Sequence, residues 1–92
     1  MQEEKVQAVD EALTIRGRIV LLWDRKNLSA RDLEKLTGID RTKWYALRNG
    51  RRRANEEDIS SLVAAFPQFA YWLTTGLTAP EAGQISPEAH DQ

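Results

Sequence analysis

Cysteine is absent from the 92 residues, which excludes a disulfide framework and any thiolate metal site and fits a reducing cytoplasm. Histidine occurs once, at His90, with no cysteine or histidine at ligand spacing. Neither a metal centre nor a histidine-activated nucleophile is expected from it. The longest apolar run, residues 19–23, is far too short to cross a membrane, and the opening MQEEKVQAVD is too polar for a signal peptide. No glycine-rich phosphate loop is present. These absences argue against an enzyme, a cofactor and a membrane role, and leave one small soluble domain that buries somewhat above 60% of its unfolded surface, roughly the fraction typical of this length.

A positive balance is missing too. The net charge is −1, an unpromising value for a partner of nucleic acid. The distribution is more informative than the sum. Positions 16–53 hold twelve bases (Arg16, Arg18, Arg25, Lys26, Arg31, Lys35, Arg41, Lys43, Arg48, Arg51, Arg52 and Arg53) against four acids, a net of +8; the remainder holds one base and ten acids, a net of −9. Such a chain can turn a basic face toward a polyanion while its acidic side disfavours the wrong orientation.

The basic residues gather around residues 28–50, LSARDLEKLTGIDRTKWYALRNG. Ser29 can cap a helix, Asp32 can complete a capping box, and Leu28 and Leu33 occupy the two staple positions. Gly38 supplies a positive φ past the end of that helix. Asp40 can cap a second helix, with Ile39 and Trp44 as its staple, and Gly50 can end it. Helical corners of this kind also occur in proteins that bind no nucleic acid. Here Arg41 and Lys43 stand in a first turn where the helix dipole disfavours bases. Six bases and no acid fall between positions 41 and 53, so repulsion is expected unless an anion relieves it. Sorted at 100° per residue, Trp44 and Leu47 face inward, while Thr42, Tyr45, Ala46 and Asn49, flanked by Arg41, face out. Small, polar and aromatic side chains on one helix face suit base edges in a major groove about 12 Å wide.

These residues resemble the helix-turn-helix of phage lambda repressor and Cro-like proteins, the XRE-type transcriptional regulators. The matching features are Leu28-Ser29, Leu33, Gly38-Ile39, the cap at Asp40, the apolar pair Trp44 and Leu47, and the arginine-rich turn after Gly50. Glu34 departs from the usual alanine and Thr37 from the usual leucine, with Leu36 a candidate to take over that burial. The resemblance implies an all-α, compact bundle of about five short helices. It also implies a sequence-specific regulator of double-stranded DNA, a phage-type repressor that binds a palindromic operator as a homodimer. Arg41, Thr42, Tyr45 and Ala46 are the candidate base contacts, and Ser29, Arg31, Lys43, Asn49, Arg51, Arg52 and Arg53 the candidate phosphate contacts. An antitoxin-like module that docks a partner protein through the same fold is the alternative.

Outside this stretch, residues 1–13 read as a helical extension, residues 14–76 as the DNA-binding domain and residues 77–92 as a mobile tail. A main helix from about Thr14 to Lys26 turns Ala12, Ile15, Ile19, Leu22 and Trp23 toward the core. If it extends backward, Val6, Val9, Leu13 and Val20 form a second stripe, which either packs on the C-terminal helix or self-associates. Asn55 can cap a further helix with Glu56, Glu57 and Asp58 in its first turn, buried through Ile59, Leu62, Val63 and Phe66. Pro67 starts a last short helix in which Phe69, Trp72 and Leu73 pack and which Gly76 stops; FPQFAYWLTTG also resembles the terminal helices of small phage-type regulators. Tyr71 and Trp72 are candidate dimer contacts, with Val6, Val9 and Leu13.

Overall fold

The computed structural model describes residues 6–88. Thr14 starts the first helix by accepting the Gly17 amide at 3.0 Å, and α1 (Ile15–Arg25) buries Ile19, Leu22 and Trp23. The capping box expected at Ser29 is formed. Its hydroxyl accepts from Asp32 N at 3.0 Å while Asp32 Oδ2 accepts from Ser29 N at 2.9 Å, opening α2 (Ala30–Thr37), which Gly38 ends at φ 78°. Asp40 then caps α3 (Arg41–Arg48) through Thr42 N at 3.0 Å, and Gly50 follows it at φ 82°. A second reciprocal box, between Asn55 and Asp58, opens α4 (Glu56–Ala65). A 3-10 turn at Pro67–Phe69 leads into α5 (Ala70–Thr75).

The five helices enclose one core of Ile19, Leu22, Trp23, Ala30, Leu33, Ile39, Trp44, Leu47, Leu62, Phe69, Trp72 and Leu73. Ile15, Val20, Ile59, Val63 and Phe66 pack partly buried against it. Burial of this much aliphatic and aromatic surface, at about 25 cal/mol per Å², is what holds helices this short; none would be stable alone in water.

Both ends of the described segment differ from expectation; the rest of the expected N-terminal extension, residues 1–5, and of the expected tail, residues 89–92, lies outside it. Residues 6–13 are not helical. Gln7–Ala8 forms a strand, β1, antiparallel to Leu77–Thr78, β2, and the amides of Val9 and Asp10 both donate to the Gly76 carbonyl, at 3.2 and 2.9 Å. The physical reason is Arg18. Its guanidinium is buried and donates to the carbonyls of Asp10, Leu13, Leu73 and Thr74, so it ties the N-terminal turn to the end of α5 in place of helical hydrogen bonds. Burial lowers the Arg18 pKa from its ordinary value, an effect the Asp10 carboxylate opposes. Asp10 also accepts the Trp72 indole N–H at 2.7 Å. In consequence Val6, Val9 and Leu13 form no helical stripe and are exposed, as is Ala12, expected in the core.

Residues 77–88 are folded rather than a mobile tail. A 3-10 turn at Pro80–Ala82 brings Gln84 back to bridge Ala79. The Gln84 side chain accepts from Tyr71 N at 2.9 Å and donates to Pro67 O at 3.1 Å, Ile85 N donates to Gln68 O at 2.9 Å, and Arg25 donates to Pro87 O at 3.0 Å. Trp72 is wholly enclosed, which removes it from the candidate dimer contacts, whereas Tyr71 is half-buried. His90 lies outside the described residues.

Candidate nucleic-acid interface

Two helices, α2 and α1, grip α3. Its inner face, Trp44 and Leu47, is fully buried. Thr37 of α2 donates its hydroxyl to Leu33 O at 2.6 Å and accepts from Ile39 N at 3.1 Å and from the Trp44 indole at 3.3 Å. A leucine at 37 would leave those donors without this acceptor, so the threonine sets the corner by hydrogen bonding. Leu36 does not take over its burial; it stays 46% exposed. From α1, Arg16 donates Nε to Leu47 O and Nη2 to Arg48 O, both at 2.6 Å. A cation on the last carbonyls of a helix satisfies free acceptors and complements the negative end of its dipole.

The outer side of α3 carries the residues expected there. Thr42, Lys43, Tyr45 and Asn49 are exposed, and Arg41 and Ala46 are half-buried. Tyr45 is a large aromatic residue that stays 51% exposed. Ser29 and Arg31, at the start of α2, and Arg51 and Arg53, in the turn after α3, are exposed as well.

The six bases of positions 41–53 are less isolated than the linear sequence implies. Arg41 Nε meets Glu34 at 2.7 Å, Arg48 meets Asp24 at 3.0 Å and lies 4.7 Å from the Trp23 ring centroid, and Arg52 meets Asp58 at 3.0 Å. Folding thus supplies an acid to three of the six, which corrects the expectation of an uncompensated cluster. Lys43, Arg51 and Arg53 have no acidic partner among the described residues. Arg52, a candidate phosphate contact, is turned inward: both Nη atoms bond Asp58 and Nε donates to Lys43 O at 3.1 Å. With Arg18 buried and Arg16 on main-chain carbonyls, the outward charge is smaller than the count for positions 16–53.

Hydrogen bonds hold two carboxylates below the usual range. Asp32 is lowered first by the Ser29 amide and then by its hydroxyl, Asp40 first by the Thr42 amide and then by its hydroxyl. Among the described residues no group of three or more histidines, cysteines or acids can hold a metal ion. Arg16 and the Arg52–Asp58 pair escaped the sequence reading. The signal for Glu34 was its departure from the usual alanine; for Arg16 there was none, since a carbonyl acceptor has no side-chain signature.

No family profile matches the chain, and no curated protein matches it. Among solved structures it is similar to Pf6r from the filamentous phage Pf6 of Pseudomonas aeruginosa PA01, with 31% sequence identity and a TM-score of 0.72 over 82% of this chain and 96% of that one.

Proposed function

The chain belongs to the family of the phage protein Pf6r, and from that premise we propose that it is a sequence-specific regulator of double-stranded DNA, a phage- or prophage-type repressor of the XRE class that acts in the cytoplasm on a palindromic operator as a homodimer. One observation carries this reading. The solvent side of α3 presents Arg41, Thr42, Tyr45 and Ala46 on the same helix as Lys43, with Arg51 and Arg53 in the turn that follows, and these three cations have no acidic partner among the described residues. A helix in a major groove needs both sets, groups that read base edges and cations nearby that hold the phosphates.

In this arrangement Arg41 addresses a guanine edge, the Thr42 methyl and Ala46 touch thymine methyls, and Tyr45 lies along the base edges. Ser29, Arg31, Lys43, Asn49, Arg51 and Arg53 hold phosphates, aided by the free amides at the start of α2. Arg52 supports the turn from behind. Two copies place their helices about 34 Å apart, or a multiple of it. The exposed Val6, Val9 and Leu13, with Ile85 beside Val9 in one shallow depression, are the self-association surface, with Tyr71 as a further candidate.

Selection of duplexes from a random pool at fixed salt tests the proposal. A palindromic motif is expected, with affinity falling steeply as salt rises. Arg41→Ala is expected to cost about 1–3 kcal/mol on the selected site and little on random DNA. A pool without enrichment, with binding insensitive to salt, overturns it. Exposure of Val6, Val9, Leu13 and Ile85 at 39, 46, 40 and 43% also supports a second reading, in which a partner protein docks there in the manner of an antitoxin. A stoichiometric partner in the absence of any duplex binding favours that one.

A further inference from the structure

Arg41 is the first residue of α3, where free main-chain N–H groups repel a cation. Glu34, on α2, is the acid aimed at it, and the contact is selective within the guanidinium. Nε donates to Glu34 Oε1 at 2.7 Å, while among the described residues Nη1 and Nη2 have no hydrogen-bond partner.

The two side chains are 41% and 34% exposed. Ion pairs so wet contribute little to stability, so the effect of this one lies in where it puts the guanidinium. An arginine held at Nε still offers both terminal nitrogens as a planar fork, and that fork matches the O6 and N7 acceptors of guanine. A side chain already held loses less rotamer freedom on binding than a free one. The carboxylate also acts against wrong sites. By neutralising the Arg41 cation at the start of α3, it weakens the sequence-independent attraction to phosphate on every duplex, so less of the total affinity is spent on unrelated DNA.

We propose that Glu34 is a positioning residue for base discrimination, holding Arg41 by Nε so that Nη1 and Nη2 address one guanine in each half-site. The proposal rests on α3 being the DNA-reading helix. It gives a role to an acid that sits beside the first residue of the proposed reading helix.

The test compares wild type, Arg41→Ala, Arg41→Lys, Glu34→Ala and Glu34→Gln on the selected operator, on operators with each G·C pair replaced in turn, and on random duplex. Arg41→Ala is expected to abolish discrimination at one base-pair position per half-site. Glu34→Ala is expected to weaken discrimination about tenfold at that same position alone, within the range of a single bidentate contact, and to bind random duplex as well as wild type or better. Glu34→Gln keeps an acceptor for Nε and retains most of the preference. Arg41→Lys has three donors but all on one nitrogen, without the planar fork that bonds Glu34 on one side and guanine on the other, and behaves like Glu34→Ala. Urea melts establish that each variant is folded. Wild-type discrimination in Glu34→Ala, or an equal loss on operator and random DNA, overturns the role of Glu34 while leaving the DNA-reading helix intact. Guanine preference that survives Arg41→Ala at every position also overturns the inference alone, whereas wild type that binds operator and random duplex equally overturns the premise with it, so the two failures are distinguishable.

Discussion

Arg52 and Asp58 meet as a two-point ion pair, Nη1 to Oδ2 at 3.0 Å and Nη2 to Oδ1 at 3.2 Å, with Asp58 only 1% exposed. The same carboxylate accepts the Asn55 amide at 3.0 Å, so one acid joins the arginine-rich turn to the start of α4. The middle of three consecutive arginines is thereby a structural residue, and its neighbours are not.

Arg52→Ala leaves a buried carboxylate without its cation and is expected to destabilise the protein by about 2–3 kcal/mol. Arg51→Ala and Arg53→Ala, at exposed positions, are expected within about 0.5 kcal/mol of wild type. Urea melts measure this ranking. In DNA titrations the order inverts: loss of Arg51 or Arg53 lowers the salt slope by about one each, loss of Arg52 much less.

Thr37→Val preserves shape but removes the acceptor for the Trp44 indole and the Ile39 amide. A loss of about 1–3 kcal/mol is expected, the range for groups deprived of a partner away from water. Thermal melts read the stability, and a changed Trp44 emission would place the effect at the corner between α2 and α3.

Gly76 and Gly38 have nearly the same dihedral, φ 82° and 78°, in very different surroundings. A Cβ at 76 would lie 2.4 Å from Glu11 Cα, whereas one at 38 meets nothing within 4 Å. Gly38→Ala is expected to cost about 1–2 kcal/mol for its left-handed backbone alone. For Gly76→Ala the expectation is about 3 kcal/mol or more, because the N-terminal segment must also move. Equal losses by denaturant titration would contradict the docking of residues 9–11 on Gly76.

Acid is expected to weaken the start of α2 and of α3. Asp32 and Asp40 have folded pKa values below their unfolded ones, held down by main-chain amides. Their stabilisation is therefore complete above the unfolded value, about 3.9, and is lost as pH falls through the lower folded values. Asn at either position keeps a capping acceptor without the titration. Melting temperatures followed from pH 7 to strongly acidic solution are expected to fall less in Asp32→Asn and Asp40→Asn than in wild type.

Much of the domain was legible because its signals are local. The caps at Ser29, Asp40 and Asn55, and the turns at Gly38, Gly50 and Gly76, depend on residues a few positions apart. The inward faces of α3, α4 and α5 follow from helical spacing. The candidate interface was legible to the same extent, since the side of α3 on which Thr42, Tyr45 and Asn49 fall is fixed once Trp44 and Leu47 are buried.

The amino-acid order alone determined five short helices, three of them with N-caps at Ser29, Asp40 and Asn55, their apolar stripes and the crowding of cations around one of them, because these depend on local dihedrals and on a 3.6-residue period. Only the tertiary structure decided that residues 6–13 and 77–88 pair as strands and turns, that Arg18 and Arg52 turn inward, and that Glu34 holds Arg41. Those outcomes depend on which carbonyls and carboxylates lie within about 3 Å of a guanidinium, the reach of a hydrogen bond, and distant segments acquire that proximity only when the core brings them together.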